Sequence, residues 1–231
     1  HHHGRPYDRY AVTIIVADRF AAGERLDRQS EEPGDPTREP LRSIFTAVHL
    51  PGRPDPDQDW FHSTIPLPAG RSPRDRCGEW ESVFPVRYGK ARIDYGTQWA
   101  RFEAATERVH GRVWQDPEEA ISALLALLHA YAWCVPAAPW KSDPDISLYD
   151  HLRVTAAVAA CIEGQNPAIL ERWEEQTARG VYPDEPVALL VGGDVSGIQQ
   201  FLYSVSSHGA IRSLRGRSAY LSLVAEAAVR L

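Results

Sequence analysis

The spacing of the apolar residues changes once along this chain, and that change limits the folds open to it. Over 11–26, Val12, Ile15, Val16, Phe20 and Ala21 recur at helical intervals with Asp18, Arg19, Glu24 and Arg25 among them, which predicts an amphipathic helix. Further helices are predicted over 95–110 and over 117–133, the latter opened by Asp116, Pro117 and Glu118 and stopped by Pro136 and Pro139. Asp145-Ile146-Ser147 can cap a fourth, whose stripe of Leu148, Leu152, Thr155, Ala156, Ala159 and Ile162 is small enough for a neighbour to approach closely, with Gly164 as its stop. A helix over 167–178 then leads through Gly180 and Pro183 to Val187-Ala188-Leu189-Leu190-Val191, an apolar run of strand length. After the turn Gly192-Gly193-Asp194 a helix opens at Ser196, with Ser196 and Gln199 at capping-box spacing. The expectation is an α+β chain in two domains, a mainly helical one over 1–180 and the beginning of an α/β one over 181–231.

Between the helices, 27–40 is polar and broken by three prolines, which predicts a surface loop that a domain interior cannot contain. Residues 41–50 form a short apolar segment. The stretch 51–88 is rich in Pro, Gly, Arg and Asp with single aromatics at Trp60, Phe61, Trp80 and Phe84, so it reads as irregular with room for short strands.

Charge and composition exclude several classes. The 231 residues carry a formal charge of -6, which argues against a basic coat for duplex DNA. A hydrophobic content of 43% excludes a disordered or collagen-like chain. No apolar run approaches a membrane span and the opening HHHGRPYDRY lacks a signal-peptide layout, so a cytoplasmic protein without membrane contact is expected. Cys77, Cys134 and Cys161 are far apart, odd in number and without a CxxC pair, which opposes a disulfide framework and a cysteine zinc site and predicts three small buried hydrophobes. The chain has no methionine, and its last helical pattern runs to Leu231 without a stop, so it is expected to be a fragment of something longer.

Three groups of residues could carry chemistry. His1-His2-His3 with Asp18 and His151 form the first, because imidazole and carboxylate suit divalent transition metals that activate water for phosphodiester cleavage. The histidine run also reads as a purification-tag remnant, and His151 as a structural histidine. Asp18, beside the apolar stripe, needs a metal or a charged partner. The second group is Val191 to Phe201, in which glycines after a strand and a helix N-terminus can receive a phosphate, or simply make a strand-to-helix turn. Its Gly192-Gly193-Asp194 imitates the GGD of nucleotidyl cyclases, a match discounted because that motif lies on a hairpin. The third is Arg212, Arg215 and Arg217, suited to phosphates or an RNA backbone, or to a solvated face.

The stretch GDVSGIQQFLYSVSSHGAIRSLRGRSAYL over 193–221 resembles the start of the first palm domain in the large subunit of type III CRISPR effector complexes, Csm branch. Asp145-Ile-Ser-Leu-Tyr-Asp-His151 with Thr155-Ala156-Ala157 is similar to that family's DISLYDH…TAA helix. Ala17-Asp18-Arg19 with Ala22-Gly23-Glu24-Arg25, followed by Ser43-Ile44-Phe45, resembles its ADxxxAGER and SIF stretches. The resemblance implies a circularly permuted HD-type phosphohydrolase domain that cuts single-stranded DNA with divalent metal (Mn, Ni, Co or Mg), then the first strand and helices of a ferredoxin-like palm. It implies His1 and His2, with Asp18 and His151, as metal ligands, and Asp18 and His151 as the catalytic pair. The His-Asp doublet of the family does not occur in this chain. Gly193, Asp194, Ser196 and Gly197 would help shape an ATP pocket, used by the full-length protein for cyclic oligoadenylate synthesis. Arg212, Arg215 and Arg217 would face nucleic acid or a neighbouring subunit. The implied partners are the other Csm-type subunits, especially the small subunit and the subunit binding the crRNA 5′ end, with crRNA and target RNA reached through the complex and single-stranded DNA as substrate. The rival reading is a catalytically inactive assembly module of the same antiviral effector. A stand-alone metal phosphohydrolase acting on nucleotides is disfavoured by the palm-like residues over 187–231.

Overall fold

A computed structural model describes residues 8–23, 35, 37–48, 59–67, 83–139, 142–193, 196–203 and 210–230. Among them are seven α-helices and one small sheet. The helices are α1 (Arg9–Ala22), α2 (Tyr95–Glu107), α3 (Pro117–Ala132), α4 (Leu148–Ile162), α5 (Pro167–Ala178), α6 (Ile198–Tyr203) and α7 (Ala210–Arg230). The strands β1 (Leu41–Arg42), β2 (Trp60–His62) and β3 (Val86–Arg87) pair antiparallel in the order β1-β2-β3, with Leu41 opposite His62 and Trp60 opposite Arg87. The chain divides into two compact units between Ala188 and Leu189.

Helix starts follow local chemistry. The carboxylates of Asp8, Asp94 and Asp116 accept first-turn N–H groups of α1, α2 and α3, satisfying donors that no helical carbonyl can reach. Asn166 does the same for α5, with Pro167 in the first turn. α1 ends at Ala22, short of the expected 26, with Gly23 as its cap. α2 and α3 also stop before their expected ends, at Glu107 and Ala132.

The core of the first unit lies where α1 packs on α4 and α5. Val16, Ala17, Ile162, Leu170 and Trp173 are buried there, and Val12, Phe20, Val158, Ala159, Ile169 and Val187 pack against them. Phe20 meets Trp173 edge to face at 5.8 Å. The inward faces differ in detail from the expected stripes. Thr13 and Ala17 are buried on α1 while Ile15 is exposed, and on α4 His151 points inward beside the expected Thr155 while Ala156 is exposed. The small Ala17 and Ala159 let the two helices come close, which leaves Ile15 outside the seam.

Two further expectations are corrected. Glu39 and Pro40, placed in a polar surface loop, are buried, because the chain turns inward to enter β1 and the Tyr95 hydroxyl donates to the Glu39 carbonyl. Most of 27–40 lies outside the described residues. Of the cysteines, Cys134 is buried and Cys161 is exposed, since Cys161 precedes the inward Ile162 by one position on α4; Cys77 lies outside the described residues.

The apolar run over 187–191, in which the first unit ends at Ala188 and the second begins at Leu189, forms no strand. Leu189, Leu190 and Val191 are 84, 97 and 80% exposed, because among the described residues no neighbouring strand takes up their backbone groups or covers their side chains. α6 starts at Ile198, after Gly197 at φ +78°, a left-handed conformation that glycine adopts without strain. Among the described residues no helix is long and apolar enough to cross a membrane.

Three measurements test this packing. Leu170→Ala should lower stability by about 2 to 5 kcal/mol in urea unfolding, as expected for a fully buried leucine. At pH 8, peptide mapping after alkylation should find Cys161 modified and Cys134 protected, because burial raises the Cys134 thiol pKa to about 11. Glu185 accepts from the Trp173 indole N–H at 2.9 Å and pairs with Arg172, and the indole bond above all holds its carboxyl below the ordinary value of 4.5. A depressed folded pKa makes this clasp stabilising above the ordinary value and weaker as pH falls through it. Glu185→Gln should therefore flatten the loss of melting temperature between neutral and acid pH.

Candidate metal centre and the family comparisons

α1 and α4 bring together the two residues that the sequence singled out from opposite halves of the first unit. His151 Nε2 lies 2.9 Å from Asp18 Oδ1. The imidazole is buried at 5% side-chain exposure, whereas the carboxylate is 55% exposed, so the pair forms a half-open site with a fixed wall and an accessible rim.

Local sequence places His151. Ser147 caps α4: its Oγ accepts the Asp150 N–H at 3.0 Å and donates to Asp150 Oδ2 at 2.8 Å. The His151 N–H then bonds the Ser147 carbonyl at 3.0 Å, which puts the ring in the first turn of the helix. Ahead of the cap, backbone bonds from Ala137 N to the Ile146 carbonyl and from Leu148 N to the Val135 carbonyl tie the entry of α4 to the chain after α3. Asp18 is set from the other side. The next residue, Arg19, donates to the Glu174 carbonyl at 2.8 Å and to Thr177 Oγ1, and Tyr182 donates to the Arg19 carbonyl. The C-terminal half of α1 is thereby pinned on α5.

The donor chemistry fits a divalent transition metal, since one imidazole nitrogen and one carboxylate oxygen converge. Among the described residues no group of three or more His, Cys, Asp or Glu side chains is gathered as a metal cluster. His1 and His2 lie outside the described residues.

The other sequence candidates fall in the second unit. Gly193, Ser196 and Gly197 are exposed beside the start of α6, and Asp194 lies outside the described residues. Arg212, Arg215 and Arg217 are on α7, the first two exposed. The Arg217 guanidinium lies 5.0 Å from the Phe201 ring centre and donates to the Phe201 carbonyl, joining α7 to α6.

Sequence reasoning did not find the pocket between α2 and α3, about 260 Å³ in volume and lined by Tyr95, Trp99, Phe102, Leu128, Tyr131 and Leu148 among others. Gln98, 4% exposed, donates to the Tyr131 carbonyl at 2.7 Å at its edge. Nor did it find Arg42, which reaches Asp59 at 3.2 Å and Asp143 at 3.3 Å to tie β1 to the approach of α4. The only available signal was the position of one arginine in a short apolar segment.

Comparison with known proteins places the chain in a family. The family model for the Csm1 subunit domain B matches residues 187–231. A protein of Methanocaldococcus jannaschii named CRISPR system single-strand-specific deoxyribonuclease Cas10/Csm1 (subtype III-A) is 28% identical, with 98% of this chain and 30% of that protein covered. The Streptococcus thermophilus protein of the same name is 36% identical over 95% of this chain and 28% of its own length, and the Thermococcus onnurineus one 30% identical over 91% and 22%. The chain belongs to the Cas10/Csm1 family of type III-A CRISPR large subunits. It spans less than a third of the length of these relatives.

Ser147→Ala removes the cap that sets His151. It should cost about 1 kcal/mol in chemical denaturation, with helix content falling by no more than the first turn of α4.

Proposed function

We propose that the first unit belongs to an HD-type, metal-dependent nuclease that cleaves single-stranded DNA within a type III-A CRISPR effector, and that Asp18 and His151 are part of its metal centre, with His1 and His2 as further ligands. The observation that carries this reading is the 2.9 Å approach of the buried His151 Nε2 to the half-exposed Asp18 carboxylate across two helices. The relatives' name, single-strand-specific deoxyribonuclease, supports the substrate. A bound divalent metal supplies Lewis acidity and an activated water. The protein's own part is to hold an imidazole rigidly, through the Ser147 cap and the α1–α4 seam, and to present a carboxylate at the rim where a phosphodiester can reach it. A mainly helical permuted HD fold for this unit fits the helical content around the pair.

For residues 187–231 the reading is the start of a ferredoxin-like palm. In the full-length protein Gly193, Asp194, Ser196 and Gly197 would contribute to binding ATP for cyclic oligoadenylate synthesis. The match to Csm1 domain B supports this assignment. The partners would be the other Csm-type subunits, with crRNA and target RNA reached through them.

The test is manganese-dependent cleavage of single-stranded DNA by the full-length protein and its Asp18→Ala, His151→Ala variant. Loss of at least about a hundredfold in rate is expected, because two ligands are removed from one centre. Equal cleavage by both proteins overturns the site assignment.

A further inference from the structure

The exposed rim of the small sheet carries a second feature. Trp60 on β2 stands opposite Arg87 on β3 in the register, so the two side chains share one face of the sheet as direct neighbours. Arg87 is also the cap of the 3₁₀ turn Tyr88–Lys90, so Lys90 follows it within one short turn at the end of β3. Arg92 follows, its backbone N–H on Ser63 Oγ at 3.1 Å and its carbonyl accepting from Thr64. All three cations are exposed, and so are Trp60 at 40%, Phe84 at 70% and Tyr88 at 58%.

Among the described residues, the neighbouring carboxylates are engaged elsewhere. Asp59, beside Trp60, is taken by Arg42 at 3.2 Å. Asp94, just past Arg92, accepts the Thr97 N–H at 2.9 Å and the Thr97 hydroxyl at 2.7 Å, the bonds that chiefly hold its carboxyl below the usual range. Among the described residues, Arg87, Lys90 and Arg92 form no ion pair. A chain of net charge -6 therefore concentrates three such cations beside exposed aromatic rings within one short segment. Cations along a path with aromatic faces between them are what a single strand needs, the first for its phosphates and the second for its unstacked bases.

We propose that the rim formed by Trp60, Arg87 and Lys90, extended by Arg92, binds single-stranded DNA, with phosphates on the cations and a base stacked on Trp60. The surface rests on the nuclease reading for its choice of DNA, and it is a holding site for the strand, separate from the Asp18–His151 pair.

Binding is measured on the full-length protein in EDTA, where nothing is cleaved, by anisotropy of a fluorescein-labelled oligo-dT over a range of salt. Arg87→Ala, Lys90→Ala, Arg92→Ala in combination should weaken binding by about tenfold or more and lower the salt slope by about 2, near 0.7 for each phosphate no longer neutralised. Trp60→Ala alone should weaken binding about tenfold and leave the salt slope unchanged, because a stacked base carries no counterion. A control that removes the same charge elsewhere, Arg38→Ala, Arg108→Ala, Arg179→Ala, should bind as the parent does. Unchanged affinity of the rim variants, an equal loss in the control, or a loss confined to an oligo-rU probe overturns the proposal. A protein that cleaves with manganese while its rim variants bind normally defeats the rim alone. One that fails to cleave although its rim variants lose oligo-dT binding defeats the nuclease reading alone.

Discussion

Close approach of α1 to α4 is the constraint on which the rest of the first unit depends. The seam is lined by Val16 and Ala17 on one side and Val158, Ala159 and Ile162 on the other, with Leu170 and Trp173 of α5 closing it. Arg9 at the start of α1 donates to the Glu163 carbonyl just past α4, while Asp18 near the end of α1 meets His151 at the start of α4, so the helices run antiparallel along their whole length. Apolar burial supplies most of the stabilisation here, and the polar contacts at the two ends fix the register. A slip by one residue along α1 would swap Ala17 for Asp18 in the seam and part the imidazole from the carboxylate.

That arrangement explains how a site can be both rigid and reachable. The imidazole is on the buried side of α4, where the helix cap and the packed seam leave it little rotational freedom. Its partner lies one position off the buried face of α1, where half of its surface meets solvent. Rigid placement of one donor and exposure of the other suit the proposed centre, which would hold an ion and admit a phosphodiester. Negative net charge does not by itself oppose nucleic-acid contact at the proposed rim, because charge acts locally, within a screening length of roughly 8–10 Å.

Much of the helical framework was legible from apolar spacing and start signals. Asp116-Pro117 and Asn166-Pro167 begin α3 and α5 as their residue types dictate, and α5 covers the expected 167–178. Asp18 and His151 were legible as chemistry, although nothing in their separation of 133 positions indicates a 2.9 Å contact. The choice of buried face was less legible, because Ile15 and Ala156 are more apolar than the inward Thr13 and His151, and steric fit between two helices decided the matter. Glu39 shows the limit of composition: its segment is polar, yet its backbone bond to Tyr95 and its place before β1 take it inside.

The sequence by itself determined where helices start, which segments are apolar and which residue types could bind metal or phosphate, because caps, propensity and periodicity act over a few residues. It also carried the family, through long local matches. Tertiary structure alone decided that Asp18 and His151 meet, that Trp60 and Arg87 stand side by side, and that the run over 187–191, strand-like in pattern, is no strand without a neighbour to pair with. Each of these depends on contacts between distant parts of the chain, and pairing or burial at that range is settled by packing geometry, which no local pattern encodes.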